Sequence, residues 1–557
     1  MPTPEEVDAQ LLGPGGMFEM VEEDVLGERM QVFKQRVPSL RALVERSAGF
    51  GDAEYMIFGD RRFTFAQHER AVASVARALR EKYGIAKGDR VAILAANCPE
   101  WIVAFWATVS LGALAVGLNG WWTADEILYG VGDCQPKLLL ADRKRLARLE
   151  GASPGVPVVE IESGFDALWN HDLTAPLPDV PIAEDDPVII LYTSGTTGRP
   201  KGAVQSHRNV VAFLQTTLYT GIKGLMLAPP PPADAPKMPP TCIFLTNPLF
   251  HVSGLHAGAI TCLATGTRSV WNVGRYDPAV AMQLIEREQV TNWSGMNTVV
   301  QRMLNHPDFG KHDLSSLRAI GGGGAPTSPE LQRRMREGFP SIRRGGHLGH
   351  GYGSTETTAL ATLIGGDEWR RFPESVGRPL PTNQLQIRDA DGRTLPEGRE
   401  GEVLVRSPLI MLGYWNRPKE TAETILPGRW LRTGDIGRIV DGRLYLASRK
   451  RDMILRGSEN VYPVEIENRL AEHPDVLEAA VIGVPSEDLG QEVTAVLVLH
   501  PGATLDEQAM AAFVAEKLAY YKVPSHWEVR GELPRNATGK VLKHVLTGDA
   551  ESTFVAE

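Results

Sequence analysis

The sequence predicts an α/β protein, with a large multi-subdomain N-terminal domain built on mostly parallel sheets and a small C-terminal α+β domain. From about residue 50 to 440, short β-branched runs alternate with helical stretches, which is typical of a parallel sheet covered by helices. After about residue 448, strands and helices follow one another closely in a compact unit. The 557 residues, 43% of them apolar, suffice for roughly two to four domain-sized units.

Local signals place individual elements in the large domain. The apolar runs over 187–193 and 242–246 are typical of buried strands. Helices are predicted over 278–288 and 329–337, because each run follows an aspartate or serine that can cap a helix and begins with a proline, which the first turn tolerates.

One uncharged stretch, 101–122, is long enough to cross a bilayer. A buried helix over 101–111 followed by a buried strand over 113–118 explains it equally well, because parallel strands are apolar on both faces. We favour the second interpretation and expect membrane contact to be peripheral at most.

The C-terminal unit is predicted to start near the charged segment 448–452, which has the character of a linker. We therefore divide the chain into 1–448 and 449–557. The elements expected after the linker are a helix over 463–472, strands near 477–484 and 492–499, a helix over 507–518 and a strand near 526–530.

Charge and cysteine content exclude several classes of protein. The 58 lysines and arginines are outnumbered by 68 acidic residues, so the net charge of −10 argues against a general nucleic-acid binder. Four widely spaced cysteines without CxxC spacing support neither a disulfide framework nor a zinc site. With an acidic N-terminus that lacks a secretory pattern, these features predict a cytoplasmic protein.

The most informative segment is Tyr192-Thr-Ser-Gly-Thr-Thr-Gly-Arg-Pro-Lys-Gly202, directly after a predicted strand. Its three glycines let the backbone turn and present N–H groups to an anion, while four hydroxyls and Lys201 add donors and positive charge. A flexible surface turn is the alternative, and the Walker spacing is absent. Its position after a strand favours a grip on a polyphosphate.

This segment resembles the phosphate-binding signature of the adenylate-forming superfamily, which includes acyl-CoA synthetases, firefly luciferase and the adenylation domains of peptide synthetases. Six further segments match in the same order along nearly the whole chain. They are 321–326, 351–356, 413–415, 430–435, 449–467 and 534–540. The resemblance implies an acid–thiol ligase that uses ATP, Mg²⁺ and coenzyme A.

The resemblance also implies which residues bind the nucleotide. The phosphate-binding positions are Thr193, Ser194, Gly195, Thr196, Thr197, Gly198 and Lys201. The adenine-binding positions are Gly323, Gly324, Ala325, Pro326, Gly351, Tyr352 and Gly353. On its own chemistry, Tyr352 between two glycines is suited to stack on a planar base, with a buried core tyrosine as the alternative.

Four more residues complete the predicted nucleotide site. Asp435 has two carboxylate oxygens that suit a ribose diol, and Arg449 resembles the family's second ribose contact. Thr355 offers a hydroxyl to the α-phosphate, and Glu356 offers a hard carboxylate to Mg²⁺. Turn formation, helix capping and a solvated ion pair are the alternatives for these positions.

Lys540 lies on the small domain, 17 residues from the end. Taken alone it predicts a solvated charge, but the resemblance implies a lysine that bridges the acid and the α-phosphate during adenylation. Such a lysine must be delivered and withdrawn, so the C-terminal domain is expected to be a mobile lid with its hinge at Arg451.

The acid is predicted from the segment around His251. Amino-acid-activating relatives carry an aspartate at this position, so an α-ammonium would lack its counter-charge here. His251 resembles the gate of acyl- and aryl-CoA ligases. The candidate walls of an apolar pocket, unless they are ordinary core, are Leu255, Ile260, Trp293 and Met296. The usual proline of the pocket floor is replaced by Asn297, which leaves substrate size open.

Coenzyme A is the expected thiol, because 17 residues after Lys540 cannot form a carrier domain of about 80 residues. Ser458, where the family often has glycine, weakens that inference slightly. The sequence thus predicts a carboxylic acid–CoA ligase, with a medium- or long-chain fatty acid preferred over an aryl or sterol-derived acid. A luciferase-like monooxygenase and an inactive nucleotide sensor are the alternatives, and the choice between monomer and homodimer is open.

Overall fold

The computed structural model describes residues 2–193, 199–228, 239–295, 297–343, 346–449, 451–456, 459–486, 488–536 and 539–548. Within these ranges the chain forms two large sheets, a smaller C-terminal sheet and an N-terminal hairpin of strands Met20–Val25 and Glu28–Phe33.

The first large sheet has seven strands, of which five are parallel. From one edge to the other they are Gly413–Tyr414, Lys201–Ser206, Pro187–Thr193, Leu114–Gly117, Arg90–Leu94, Leu138–Ala141 and Val158–Glu160. The first two run antiparallel to their neighbours, whereas the other five are parallel to one another. Every residue of Leu114–Gly117 and Leu138–Ala141 is buried, as expected for strands covered on both faces.

The second large sheet has parallel strands at its centre and antiparallel strands at both ends. Its order is Gln384–Arg388, Gly401–Arg406, Trp430–Val440, Arg443–Arg449, Ser375–Pro379, Thr362–Gly365, His347–Tyr352, Ala319–Gly323, Asn292–Ser294, Cys242–Leu245, Arg268–Trp271, Glu54–Phe58 and Arg61–Thr64, with Ile425–Leu426 beside Trp430–Val440. Parallel strands end at one edge of a sheet, so the glycine-rich ends of 319–323 and 347–352 lie side by side.

Helices pack around these sheets. The α-helices of the N-terminal part are Pro4–Leu12, Arg41–Ser47, Phe65–Tyr83, Pro99–Ser110, Ala124–Cys134, Arg143–Ala147, Ile161–Gly164, Asp166–Trp169, His207–Leu227, Val252–Gly254, Thr261–Thr265, Pro278–Arg287, Asn297–Leu304, Pro329–Gly338, Pro340–Arg343, Gly366–Arg371 and Pro418–Thr424. A π-helical segment, Leu255–Ile260, joins two of them.

The predicted capping signals are confirmed. Helix Pro278–Arg287 begins after Asp277, whose Oδ1 accepts a hydrogen bond from the backbone N–H of Ala279 at 2.8 Å. Helix Pro329–Gly338 begins after Ser328, whose hydroxyl oxygen accepts from a backbone N–H of the first turn.

The uncharged stretch 101–122 folds as the buried alternative. Helix Pro99–Ser110 is buried along its length, and strand Leu114–Gly117 follows it inside the first sheet. Among the described residues, helix His207–Leu227 is long and apolar enough to span a membrane, but its first half is buried inside the protein.

The C-terminal part forms the predicted small α+β unit with its own hydrophobic cores. Its strands are Ile454–Arg456, Glu459–Val461, Val476–Ser486, Gly490–Leu499 and His526–Val529. Its helices are Pro463–Ala471, Glu507–Ala515 and Lys543–Leu546. The α/β class, with a large N-terminal and a smaller C-terminal domain, is therefore confirmed.

Candidate active site

The predicted phosphate-binding segment connects two antiparallel strands of the first sheet. Thr193 ends one strand and pairs in register with Lys201, which begins the next. The hydroxyl of Tyr129 donates to the carbonyl of Pro200 at 3.0 Å and so fixes the returning arm of the connection. Ser194, Gly195, Thr196, Thr197 and Gly198, which carry most of the signature, lie outside the described residues.

Lys201 and Glu356 are brought together by a tyrosine that the sequence analysis did not assign. The Lys201 ammonium lies 5.2 Å from the centre of the Tyr414 ring, a cation–π contact. The Tyr414 hydroxyl donates to Glu356 Oε1 at 2.8 Å. Burial, together with the Glu356 charge, raises the pKa of Tyr414, so the phenol remains a donor. The sequence signal that could have identified Tyr414 is its position in segment 413–415, which matches the superfamily.

The backbone that carries Thr355 and Glu356 is held from two sides. The amide Nε2 of Gln205 donates to the carbonyl of Thr355 at 2.8 Å, and the backbone N–H of Met411 donates to the carbonyl of Glu356 at 3.0 Å. Ala359, shortly after, has φ of +89°, which is unusual for a residue with a side chain and indicates stored strain. Strand Lys201–Ser206, through Gln205, thus fixes the segment that carries the Glu356 carboxylate.

A buried histidine supports this arrangement from behind. His256, on the π-helical segment, is fully buried, and its Nε2 lies 2.7 Å from Gln205 Oε1. Because the Gln205 amide nitrogen serves Thr355, its oxygen must accept, so the hydrogen-bond network assigns the proton of His256 to Nε2. Burial lowers the pKa of His256 to about 3, which keeps the ring neutral. Sequence reasoning missed both residues.

The predicted adenine wall lies where two parallel strands end. Gly323 is opposite Gly351, and a Cβ on Gly323 would lie 2.5 Å from the Gly351 carbonyl oxygen. Gly324 has φ of +82°, in the region that favours glycine. A Cβ on Gly353 would lie 2.2 Å from the Ala359 carbonyl oxygen. Close backbone approach therefore requires glycine at positions 323 and 353, whereas the backbone conformation favours it at position 324.

Asn297 supports this wall. Its Nδ2 donates to the carbonyl of Pro326 at 2.9 Å and approaches that of Ala325 at 3.4 Å. Its Oδ1 accepts from the hydroxyl of Thr327 at 3.0 Å, and that hydroxyl also lies 3.2 Å from His350 Nδ1. The side chain that replaces the usual proline thus holds the 325–327 loop by hydrogen bonds.

The predicted ribose contacts meet at one carboxylate. The Tyr352 hydroxyl donates to Asp435 Oδ2 at 2.7 Å, and Arg449 Nε lies 3.4 Å from Asp435 Oδ1. Asp435 and Arg449 face each other on neighbouring strands. Burial raises the pKa of Tyr352, and the charge of Asp435 acts in the same direction. Tyr352 thus orients Asp435.

Lys540 faces this same cluster from the C-terminal domain. Burial lowers the pKa of Lys540 to about 7; the Arg449 charge also lowers it, whereas Asp452 and Asp435 act in the opposite direction. Its backbone N–H donates to Asn536 Oδ1 at 2.9 Å, which closes the loop. The charges of Arg449 and Asp435 both act on Lys540, so this lysine of the C-terminal domain lies near the predicted ribose site.

The hinge at Arg451 and the effect of Ser458 on coenzyme A binding both stay predictions. Arg451 Nε lies 3.4 Å from Asp452 Oδ1, directly after the strand that ends at Arg449. This position, between the last strand of the N-terminal domain and the first strand of the C-terminal domain, suits a hinge. Gly457 and Ser458 lie outside the described residues.

His251 caps the short helix Val252–Gly254, and its ring lies 4.8 Å from that of Phe250. Burial lowers the pKa of His251 to about 4, so the imidazole is neutral near pH 7. Of the predicted pocket walls, Leu255, Ile260 and Trp293 are fully buried within hydrophobic cores, which agrees with the ordinary-core alternative. Met296 lies outside the described residues.

The chain matches known proteins along most of its length. A family model described as AMP-binding enzyme matches residues 43–415, and one described as AMP-binding enzyme C-terminal domain matches residues 465–540. A feruloyl-CoA synthase from Amycolatopsis sp is 32% identical over 495 residues, which cover 87% of this chain and 93% of that protein. A long-chain-fatty-acid–CoA ligase from Mycobacterium tuberculosis is 32% identical over 529 residues, which cover 93% and 96%.

A solved structure agrees with these matches. The o-succinylbenzoate CoA synthetase of Bacillus subtilis, in complex with its acyl-adenylate intermediate, superposes with a TM-score of 0.76 at 29% identity and covers 93% of this chain and 99% of that chain. The chain therefore belongs to the AMP-binding enzyme family, within the adenylate-forming superfamily, and is an AMP-forming acid–thiol ligase of the acyl-CoA synthetase type.

Proposed function

We propose that this enzyme ligates a medium- or long-chain fatty acid to coenzyme A through an acyl-adenylate. The observation that carries the proposal is the cluster of Tyr352, Asp435 and Arg449, with Lys540 of the C-terminal domain near enough to be influenced by the charges of Asp435 and Arg449. Lys201 and Glu356 form a second charged cluster joined by Tyr414. One cluster suits a ribose and the other a polyphosphate.

In the first half-reaction an oxygen of the acid attacks the α-phosphorus of ATP, and the bond to pyrophosphate breaks. Negative charge shifts toward the leaving group, so the Lys540 ammonium stabilises the transition state more than the ground state. In the second half-reaction the sulfur of coenzyme A attacks the acyl carbon, and AMP leaves. Lys540 must withdraw for the thiol to approach.

The residues around Glu356 fit a magnesium ion. A carboxylate oxygen is a hard ligand of the kind that Mg²⁺ prefers, and the hydrogen bond from Tyr414 fixes the carboxylate's orientation. When bound with ATP, the ion would neutralise phosphate charge.

Three classes of acid are candidates. The neutral imidazole of His251 supports an uncharged acyl chain at the predicted gate, and the mycobacterial relative is named for long-chain fatty acids. An aryl acid is the second candidate, because the relative named feruloyl-CoA synthase has the same identity to this chain. A sterol-derived acid, which is bulky and apolar, is the third candidate substrate.

The test is pyrophosphate release from ATP across acids of graded chain length and ring content, with and without coenzyme A. We expect the highest kcat/KM with a medium- or long-chain fatty acid and a thioester product only when coenzyme A is present. A preference for aryl acids would overturn the substrate class alone. Pyrophosphate release without any thioester would overturn ligation and favour another use of the adenylate, such as oxidation.

A further inference from the structure

Helix Asn297–Leu304 contacts both the predicted adenine wall and the C-terminal domain. Asn297 and Gln301 are four residues apart and therefore lie on one face of this helix. Asn297 bonds the carbonyls of the 325–326 loop, as described above. Gln301, which is half-buried, donates from Nε2 to the backbone carbonyl of Leu477 at 2.7 Å. One helix face thus holds the nucleotide wall and the lid.

The Leu477 carbonyl that accepts from Gln301 is connected to Lys540 by a salt bridge and a hydrogen bond. Next to Leu477, the carboxylate of Glu478 lies 2.9 Å from Arg535 Nη2 in a largely buried ion pair. Arg535 Nη1 then donates to the carbonyl of Gly539 at 2.6 Å, directly before Lys540. The contact at Leu477 and the catalytic loop therefore belong to one connected unit.

Apolar packing reinforces this connection. Leu477 and Val541 pack against one core of the C-terminal domain, which also contains Leu533 and Leu546. These residues flank the loop that carries Lys540 on both sides, so the loop moves with the start of strand Val476–Ser486 rather than independently of it.

We propose that Gln301 is a positioning residue that latches the C-terminal domain in the orientation that presents Lys540 to the nucleotide. The inference rests on the proposed two-step function. A single side-chain hydrogen bond is weak enough to break when the domain rotates for thioester formation, and its loss changes an equilibrium by roughly tenfold. Gln301 should therefore serve the first half-reaction and be dispensable in the second.

The kinetic test is Gln301→Leu, which removes the donor and keeps the volume. The matched control is Gln215→Leu, because Gln215 is also on a helix and donates from Nε2 to a backbone carbonyl, that of Gln35, at 3.0 Å. We expect Gln301→Leu to lower kcat for pyrophosphate release by about tenfold. The KM for ATP and thioester formation from supplied acyl-AMP should match those of the control variant. Equal loss in both half-reactions, or unchanged pyrophosphate release, would overturn the latch.

A second measurement needs no turnover. Spin labels on exposed positions of the two domains, introduced by Ser315→Cys and Gln508→Cys, report the distance between the domains with Mg·ATP bound. In the wild-type background one distance should dominate, whereas Gln301→Leu and Gln301→Glu should add a second population. Identical distributions would overturn the latch. Wild-type enzyme that releases no pyrophosphate with any acid would instead overturn the proposed function, while the distance measurement still decides the latch.

Discussion

At the scale of single residues, Asp435 is oriented by partners from two different segments. Tyr352 donates to one of its oxygens, and Arg449 pairs with the other. A carboxylate held in this way loses little side-chain freedom when a ribose binds, so its orientation contributes to affinity for ATP.

Tyr352→Phe should test this orientation. It keeps the ring and removes the donor to Asp435, so we expect the KM for ATP to rise about tenfold with a smaller change in kcat, since a hydrogen bond to a charged group is lost. Tyr445→Phe is the control, because Tyr445 lies on the same strand as Arg449 and its ring faces Arg438 instead. An unchanged KM in Tyr352→Phe would remove the orienting role.

Lys540 leads to a prediction about pH. Burial lowers its pKa to about 7, so the free enzyme loses the ammonium as the pH rises through that value. If the ammonium is required, kcat/KM for pyrophosphate release should fall above about pH 7. The midpoint in kcat should lie higher, because bound phosphates favour the charged form.

The control for this profile is Lys540→Arg, whose guanidinium stays protonated. Its kcat/KM, although lower than that of the wild type, should stay flat between about pH 6 and pH 9. A wild-type profile that is flat over the same range would contradict a requirement for the ammonium.

At the scale of secondary-structure elements, the adenine wall depends on two strands that approach too closely for side chains. Gly323→Ala places a Cβ 2.5 Å from the carbonyl oxygen of Gly351, so we expect a loss of about 1–3 kcal/mol in the free energy of unfolding and weaker ATP binding. Gly321→Ala on the same strand is the control, because its Cβ would meet no described atom within 4 Å. Denaturant unfolding of both variants is the measurement, and equal stability would contradict the close approach.

The elements that could be predicted from sequence are those with local signals. The helix starting at Pro278 follows its cap directly, and the strand Pro187–Thr193 is a continuous apolar run. Hydrogen bonds between distant residues had no such signal. Gln205 and His256 are 51 positions apart, and Gln301 and Leu477 are 176 apart, so only the folded chain shows the pairs.

In the candidate site, too, local motifs could be predicted from sequence and contacts between distant segments could not. The motif residues at the nucleotide cleft were predicted through resemblance, because each motif is a short contiguous segment. Asn297 was noticed as a departure at the pocket floor, but its bonds to the Ala325 and Pro326 carbonyls depend on how two separate segments pack. The sequence left Leu255, Ile260 and Trp293 open between pocket wall and core, since both give the same apolar pattern, and the structure places all three in cores.

At the scale of the whole molecule, Lys540 of the C-terminal domain lies near the predicted ribose site of the N-terminal domain. Among the described residues, Gln301 donates a hydrogen bond across the junction to the carbonyl of Leu477. A polar contact of this kind releases more easily than an apolar one, which suits the proposed rotation between two half-reactions.

The most direct test of the central claim is the effect of Lys540→Ala on the two half-reactions measured separately. Its ammonium is needed only while charge moves onto pyrophosphate, so pyrophosphate release should be nearly abolished. Thioester formation from supplied acyl-AMP and coenzyme A should proceed at close to the wild-type rate. An equal loss in both half-reactions, or full retention of pyrophosphate release, would contradict a lysine delivered by the C-terminal domain for adenylation alone.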